Sequence, residues 1–194
     1  MCGRFFLADS DNSGELRSII DQLNRRGVTV KTGEIFPTDT VPVLANNRNR
    51  RVMPFSMQWG YTLPDGRLLI NARSETAGEK PLFQDAMRQH RCLIPATNYF
   101  EWEKRGREKI KYAIRQADAG LLYMAGLYRV ENGRAVFTIL TREPAEQIRF
   151  IHDRMPVILT SNAKQDWLNL DCDAAQTLAQ ACENVVFCAV NVSC

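Results

Sequence analysis

The chain has 194 residues, 45% of them hydrophobic and 24% charged, with a net charge of +3 and a pI near 8.6. That fits one domain over 1–194 with a sizeable buried core, and the mild basicity suits an acidic partner without demanding one. No apolar run approaches the roughly 20 residues of a membrane span, and no charged-then-apolar signal opens the chain, so a cytoplasmic protein with no membrane partner is expected. The six cysteines show no C-x-x-C spacing and the only histidines are His90 and His152. No metal site and no cofactor are expected, nor are disulfides in a reducing compartment.

In chain order, Asn12 with Glu15 three residues on reads as a capping box. Leu16, Ile19, Ile20 and Leu23 follow at helical spacing, and Gly27 supplies the stop. Strands begin from Gly33. Asn46 to Arg51 is a basic stretch that reads as a solvated hairpin tip, with a phosphate-tracking loop as the alternative. Met53, Phe55, Met57 and Trp59 alternate with Pro54, Ser56 and Gln58, the period of a half-buried strand. Pro64-Asp65-Gly66 is a turn, and Arg67 to Asn71 a returning strand. A helix is expected over Pro81 to Gln89, with Leu82, Ala86 and Met87 on one face. Strands are expected at Cys92–Ile94 and Tyr99–Glu103, and through the alternation of Ile110, Tyr112 and Ile114 with Lys109, Lys111 and Arg115. Leu121 to Tyr128 is apolar throughout, as in a strand covered on both faces. Asn132-Gly133 marks a tight hairpin into Val136–Thr141. Short helices are expected near Pro144, Asn162 and Asp173, and a last strand at Val185–Val190. The fold class is α+β: one domain, mostly antiparallel and barrel-like, with peripheral helices.

Cys2 follows the initiator Met, and removal of Met1 would leave a free α-amine and a thiol on one residue. The amine, with a pKa of roughly 7.7–8.0, adds to carbonyls, and the thiolate beside it is a strong nucleophile. Three other stretches place polar groups where a plain core would not. Asn71-Ala72-Arg73-Ser74-Glu75-Thr76 ends a strand and also suits helix capping. Glu101 sits among Tyr99, Phe100 and Trp102, where desolvation would raise a carboxyl toward acid–base use; an exposed glutamate on an alternating strand is the structural alternative. His152, in His152-Asp153-Arg154-Met155-Pro156, suits proton transfer or a hydrogen-bonded core histidine. Together a terminal Cys, an Asn, a buried Glu and a His form the set a carbonyl-trapping site needs.

Met1-Cys2-Gly3-Arg4-Phe5, Ile70-Asn71-Ala72-Arg73-Ser74-Glu75, Phe100-Glu101-Trp102 and His152-Asp153-Arg154-Met155-Pro156 resemble, in order and spacing, the motifs of the SRAP (SOS-response-associated peptidase) family. The resemblance implies the SRAP fold, a place in the DNA damage and SOS responses, and a covalent thiazolidine between Cys2 and abasic sites in single-stranded DNA, formed by a monomer. It implies Cys2 as nucleophile through amine and sulfur, Asn71 as positioner, Glu101 as general acid–base and His152 as the aid to sugar-ring opening. Arg4, Arg73, Thr141 and Trp59 are the implied DNA contacts. The family's nominal peptidase (hydrolase) and lyase activities would use the same Cys2, with Met1 the segment removed. Glu34, three residues before Pro37, departs from the family's Asn; a carboxylate opposes DNA, so it is expected to face away from the groove. Two other functions fit parts of the sequence. An N-terminal-nucleophile amidotransferase also begins Met-Cys-Gly, although Arg4 and the later motifs oppose it. A non-covalent single-stranded-DNA module would use Trp59, Trp102 and the arginines.

Overall fold

The computed structural model describes residues 2–8, 14–117, 120–180 and 186–193. The chain runs β1 (Arg4–Leu7), α1 (Glu15–Asn24), β2 (Gly33–Ile35), β3 (Thr40–Asn46), β4 (Val52–Trp59), β5 (Tyr61–Thr62), β6 (Leu68–Leu69), β7 (Asn71–Arg73) and α2 (Ser74–Ala77). It continues with α3 (Pro81–Gln89), β8 (Arg91–Ala96), β9 (Asn98–Arg105), β10 (Glu108–Gln116), β11 (Leu122–Glu131) and β12 (Arg134–Arg142). A single 3₁₀ turn follows, then β13 (Met155–Pro156), β14 (Ile158–Leu159), α4 (Ala163–Asn169), α5 (Cys172–Gln180) and β15 (Phe187–Asn191).

β12, β4, β3, β8 and β11 pair in succession, and β11 returns to β12, so these strands close a barrel-like ring without open edges between them. Trp59, Phe137, Ile139, Val43, Leu93 and Met124 belong to the continuous core. β11 is buried from Leu122 to Leu127 because β8 and β12 flank it and α3 lies against it, as its unbroken apolar run predicts. At Gly126 an added Cβ would stand 2.3 Å from Ile94 Cδ1 and 2.9 Å from Thr138 O, so only glycine fits that close approach. A second sheet, ordered β15-β10-β9-β1-β2, is antiparallel throughout.

The mostly antiparallel expectation holds, with β12 running parallel to β4 and β7, and the departures are local. The returning strand after Pro64-Asp65-Gly66 is broken at Ile70, its first part pairing with β5 and its second with β12. On α3 it is Phe83, with Ala86 and Met87, that faces the core, while Leu82 is exposed. In β4 only Pro54, Met57 and Trp59 are buried, because the far end lies near the solvated Asn46–Arg51 tip. Near Pro144 there is one 3₁₀ turn, Glu146–Ile148, too short to be an α-helix. The helix after Asn12 exists, but Gly14 precedes its first turn and Asn12 lies outside the described residues, as does Val185. Other signals match. Gly27 ends the α1 turn at φ 72°, and Asn132-Gly133 turns left-handed at φ 49° and 78°.

β12 assembles the site. It pairs with β7 so that Asn71 lies opposite Ile139, and with β13 so that Thr141 lies opposite Pro156. The Asn71 and His152 motifs, far apart in sequence, therefore border one strand. β9 does the same for the other half by pairing with β1, which sets Arg4 opposite Phe100.

Candidate active site

Cys2 is fully buried. Its thiol donates weakly to the Arg4 carbonyl at 3.7 Å, and its own carbonyl accepts from Asn71 Nδ2 at 2.8 Å. Burial pushes the thiol far above its ordinary value, and the nearby Glu101 charge pushes it further, so the resting sulfur is a neutral S–H. Asn71 is buried, and its Oδ1 meets no donor among the described residues. It is held as an amide fixed by the Cys2 backbone, with an acceptor left over beside Cys2.

Glu101 projects from β9 and is 3% exposed. Desolvation raises its carboxyl above the usual range and Asp153 raises it further, which increases the protonated share near neutrality. His152 is held low chiefly by burial; Asp153 opposes this, and Lys104 adds a smaller push downward. Its Nδ1 faces two groups at once, the Arg154 backbone N–H at 3.1 Å and Asp153 Oδ1 at 2.6 Å. The first contact uses the ring lone pair and the second a ring proton, so they belong to the neutral and the charged imidazole respectively. Burial favours the neutral ring, whose remaining proton then sits on Nε2.

Arg154, from the same motif, is structural. It forms a bidentate pair with Glu75 at 2.7 and 2.8 Å and donates to Thr141 O at 2.6 Å, tying the His152 loop to α2 and β12. A cleft of about 480 Å³ opens at this point, lined by Gly3, Arg4, Glu101, Trp102, Lys104, Lys109 and His152. It combines Glu101 and His152 with three cations and an aromatic face. A cleft of equal size, about 480 Å³, lies between the β3–β4 turn and the ends of α3 and α4. Its buried cation, Arg91, already donates to the carbonyls of Trp167, Met87 and Leu170, capping both helix ends, and no motif residue lines it.

The four expected DNA contacts separate. Arg4 lines the cleft with its side chain 40% exposed. Arg73 is exposed at the end of β7, opposite Thr141 in register. Trp59 is corrected to a core residue. It is fully buried, with its ring 5.2 Å from Phe5 and stacked on Phe137 at 6.3 Å, and its Nε1 donates to Ile70 O at 3.0 Å. No base can reach that ring. Thr141 is likewise corrected: it is 1% exposed, and its hydroxyl donates to Ala72 O at 3.3 Å. The Glu34 expectation also fails, since that carboxylate points into the basic patch and pairs with Arg4 and Lys111. Sequence reasoning missed Lys104 and Lys109, which line the cleft, and Lys111, which pairs with Glu34 beside Arg4. The polar phase of the Lys109–Arg115 alternation was the available signal.

Buried Cys2, held through its carbonyl by Asn71, thus lies close to the buried Glu101 carboxyl, and His152 lines the same cleft as Glu101. Residues 1–193 match the model of the SOS response associated peptidase (SRAP) family, and the chain belongs to that family. Abasic site processing protein YoqW of Bacillus subtilis is 34% identical over 195 residues, covering 93% of this chain and 87% of the relative. Abasic site processing protein YedK of Escherichia coli is 28% identical over 94% of this chain and 87% of its own length. Among solved structures, one from Bordetella bronchiseptica aligns with a TM-score of 0.75 at 21% identity, over 98% of this chain and 100% of that one, a likeness of fold. Among the described residues, no helix is long and apolar enough to cross a membrane.

Proposed function

We propose that this protein processes abasic sites in single-stranded DNA by forming a covalent thiazolidine through Cys2 once Met1 is removed. The observation that carries the reading is the Cys2–Asn71 contact, which holds the reactive residue by its backbone and leaves amine and sulfur for chemistry. The abasic-site names of the relatives across nearly the whole chain supply the substrate class.

Each residue has a step. The neutral His152 hydrogen-bonds the sugar ring oxygen through Nε2–H while the C1′ hydroxyl proton passes to that oxygen through solvent water, which opens the hemiacetal to the aldehyde with no net proton change at His152. The Cys2 amine adds to that carbonyl, and protonated Glu101 donates to the departing hydroxyl. Water leaves and a protonated imine remains beside the Glu101 carboxylate. The Cys2 sulfur then adds to the imine carbon, its proton passing to the Glu101 carboxylate and restoring the acid, and the five-membered ring closes without oxidation or reduction. The raised thiol matters for order. A resting S–H leaves the first step to the amine, and sulfur acts only when an electrophilic imine stands beside it. Arg4, Lys104 and Lys109 supply charge for the flanking phosphates, and Trp102 a surface for a neighbouring base. The same Cys2 would serve the removal of Met1 that the family's peptidase name implies.

The test is intact mass before and after incubation with single-stranded DNA carrying one abasic site. A heat-stable adduct with loss of one water, absent with Cys2→Ala and with intact DNA, is expected. Met1 removed with no adduct would refute the proposal. Glutaminase activity would then favour an amidotransferase, and salt-sensitive binding indifferent to the lesion a non-covalent module.

A further inference from the structure

The second sheet surrounds Arg4 with a charge arrangement whose other members, Glu34 and Lys111, the crosslinking steps do not use. Glu34, on the edge strand β2, sends Oε1 to two cations at once: Lys111 Nζ donates to it at 2.8 Å and Arg4 Nη1 at 3.4 Å. Both cations are seated on aromatic faces. The Arg4 guanidinium lies 4.7 Å from the Phe36 ring centre and 5.2 Å from that of Trp102, and Lys111 Nζ lies 3.9 Å from that of Phe100. The side chains of Arg4, Glu34 and Lys111 are 40%, 32% and 24% exposed, so solvent and ligand reach all three. One anionic oxygen bridging an ammonium and a guanidinium is also how a phosphodiester oxygen would sit between them.

We propose that the Glu34 carboxylate occupies the seat of a DNA phosphate on Arg4 and Lys111, and that a bound strand must displace it. This rests on the reading of the neighbouring cleft as a DNA site. Glu34 then weakens binding of intact single strands, so stable retention depends on the covalent step at Cys2 more than on charge. The carboxylate is suited to compete near neutrality, since the Lys111 hydrogen bond holds its titration below the usual value and keeps it ionised. Its place on an edge strand leaves the side chain free to swing outward when a phosphate arrives.

The experiment measures equilibrium binding of a fluorescent single strand without an abasic site, by anisotropy, across a range of salt. Intact DNA forms no crosslink, so the result is independent of Cys2 chemistry. Glu34→Gln keeps the shape and removes the charge. It is expected to tighten binding about threefold to tenfold at low salt, the scale of two partly exposed ion pairs. It should also steepen the log–log salt dependence by about 0.7, since one more counterion is released per strand bound. In a Lys111→Gln background most of that gain should vanish. Unchanged or weaker binding by Glu34→Gln would overturn the proposal, the weaker case marking Glu34 as a support that holds the cations in place. Glu34→Ala serves the same measurement if the Gln variant is poorly folded. Tighter binding by Glu34→Gln together with no adduct on abasic DNA would keep the competition and reject the crosslinking reading. An adduct with no effect of Glu34→Gln would do the reverse.

Discussion

Replacing Asn71 by Ala should separate stability from activity. The wild-type amide gains one buried hydrogen bond, Nδ2 to Cys2 O at 2.8 Å, and leaves its Oδ1 without a donor among the described residues. Deleting the side chain strands the Cys2 carbonyl, at a cost of about 1–3 kcal/mol, and also removes the unsatisfied Oδ1, which costs a similar amount in the wild type. The two nearly cancel, and a side chain of that size leaves a small void worth about 1 kcal/mol. A net loss near 1 kcal/mol lowers the melting temperature by about 2–4 °C in a domain of this length. Activity has no such cancellation. With its carbonyl released, Cys2 no longer presents amine and sulfur in one geometry, and an error of about 1 Å in a reacting group costs about 100-fold. Single-turnover crosslinking to abasic single strands, followed on denaturing gels alongside thermal melting, measures both. Crosslinking at the wild-type rate would refute the positioning role. A fall of 10 °C or more would show the cancellation to be wrong. Asn71→Asp is expected to be worse in both assays, because it turns an acceptor toward the Cys2 carbonyl and buries a charge.

Glu101→Gln should stabilise the protein above neutrality while slowing crosslinking. A carboxyl raised on folding contributes stability that is complete below its unfolded value and lost as pH rises through the folded one. The melting advantage of the variant should therefore grow as pH rises above the ordinary value of 4.5 and disappear below it; an advantage independent of pH would refute this. Trp59→Ala should cost about 3–5 kcal/mol, visible as a large drop in melting temperature, since the whole indole and its bond to Ile70 O are lost from the core. Trp102→Ala should weaken DNA binding and leave melting nearly unchanged, and the opposite pattern for the pair would reverse their assignment. Arg154→Lys keeps the charge but cannot hold both Glu75 oxygens, so a loss of about 1–3 kcal/mol in stability and a slower reaction through the loosened His152 loop are expected.

The amino-acid sequence alone determined the local elements with strong patterning and the residues with unusual chemistry. Helix α3 lies at Pro81–Gln89 as expected, β11 is buried as its apolar run requires, and the hairpin at Asn132-Gly133 needs only its own two residues. These depend on neighbours a few positions away, so short-range order is enough to specify them. The ordered motifs around Cys2, Asn71, Glu101 and His152 led to the family.

Tertiary structure decided which polar and aromatic groups face the site. Period-two alternation does not say which face of a strand is covered, and so Trp59, an apparent stacking platform, became the centre of the barrel while Trp102 took the cleft. Thr141 was buried because β12 is flanked by β7 on one side and β13 on the other. Arg154 looked like part of a catalytic motif and proved to be the tie between that motif and Glu75. Glu34 and Lys111 lie 77 positions apart and meet only because β2, β1, β9 and β10 are consecutive in one sheet. A charge's partner is set by distance in space, and sequence spacing carries that information only within a single element.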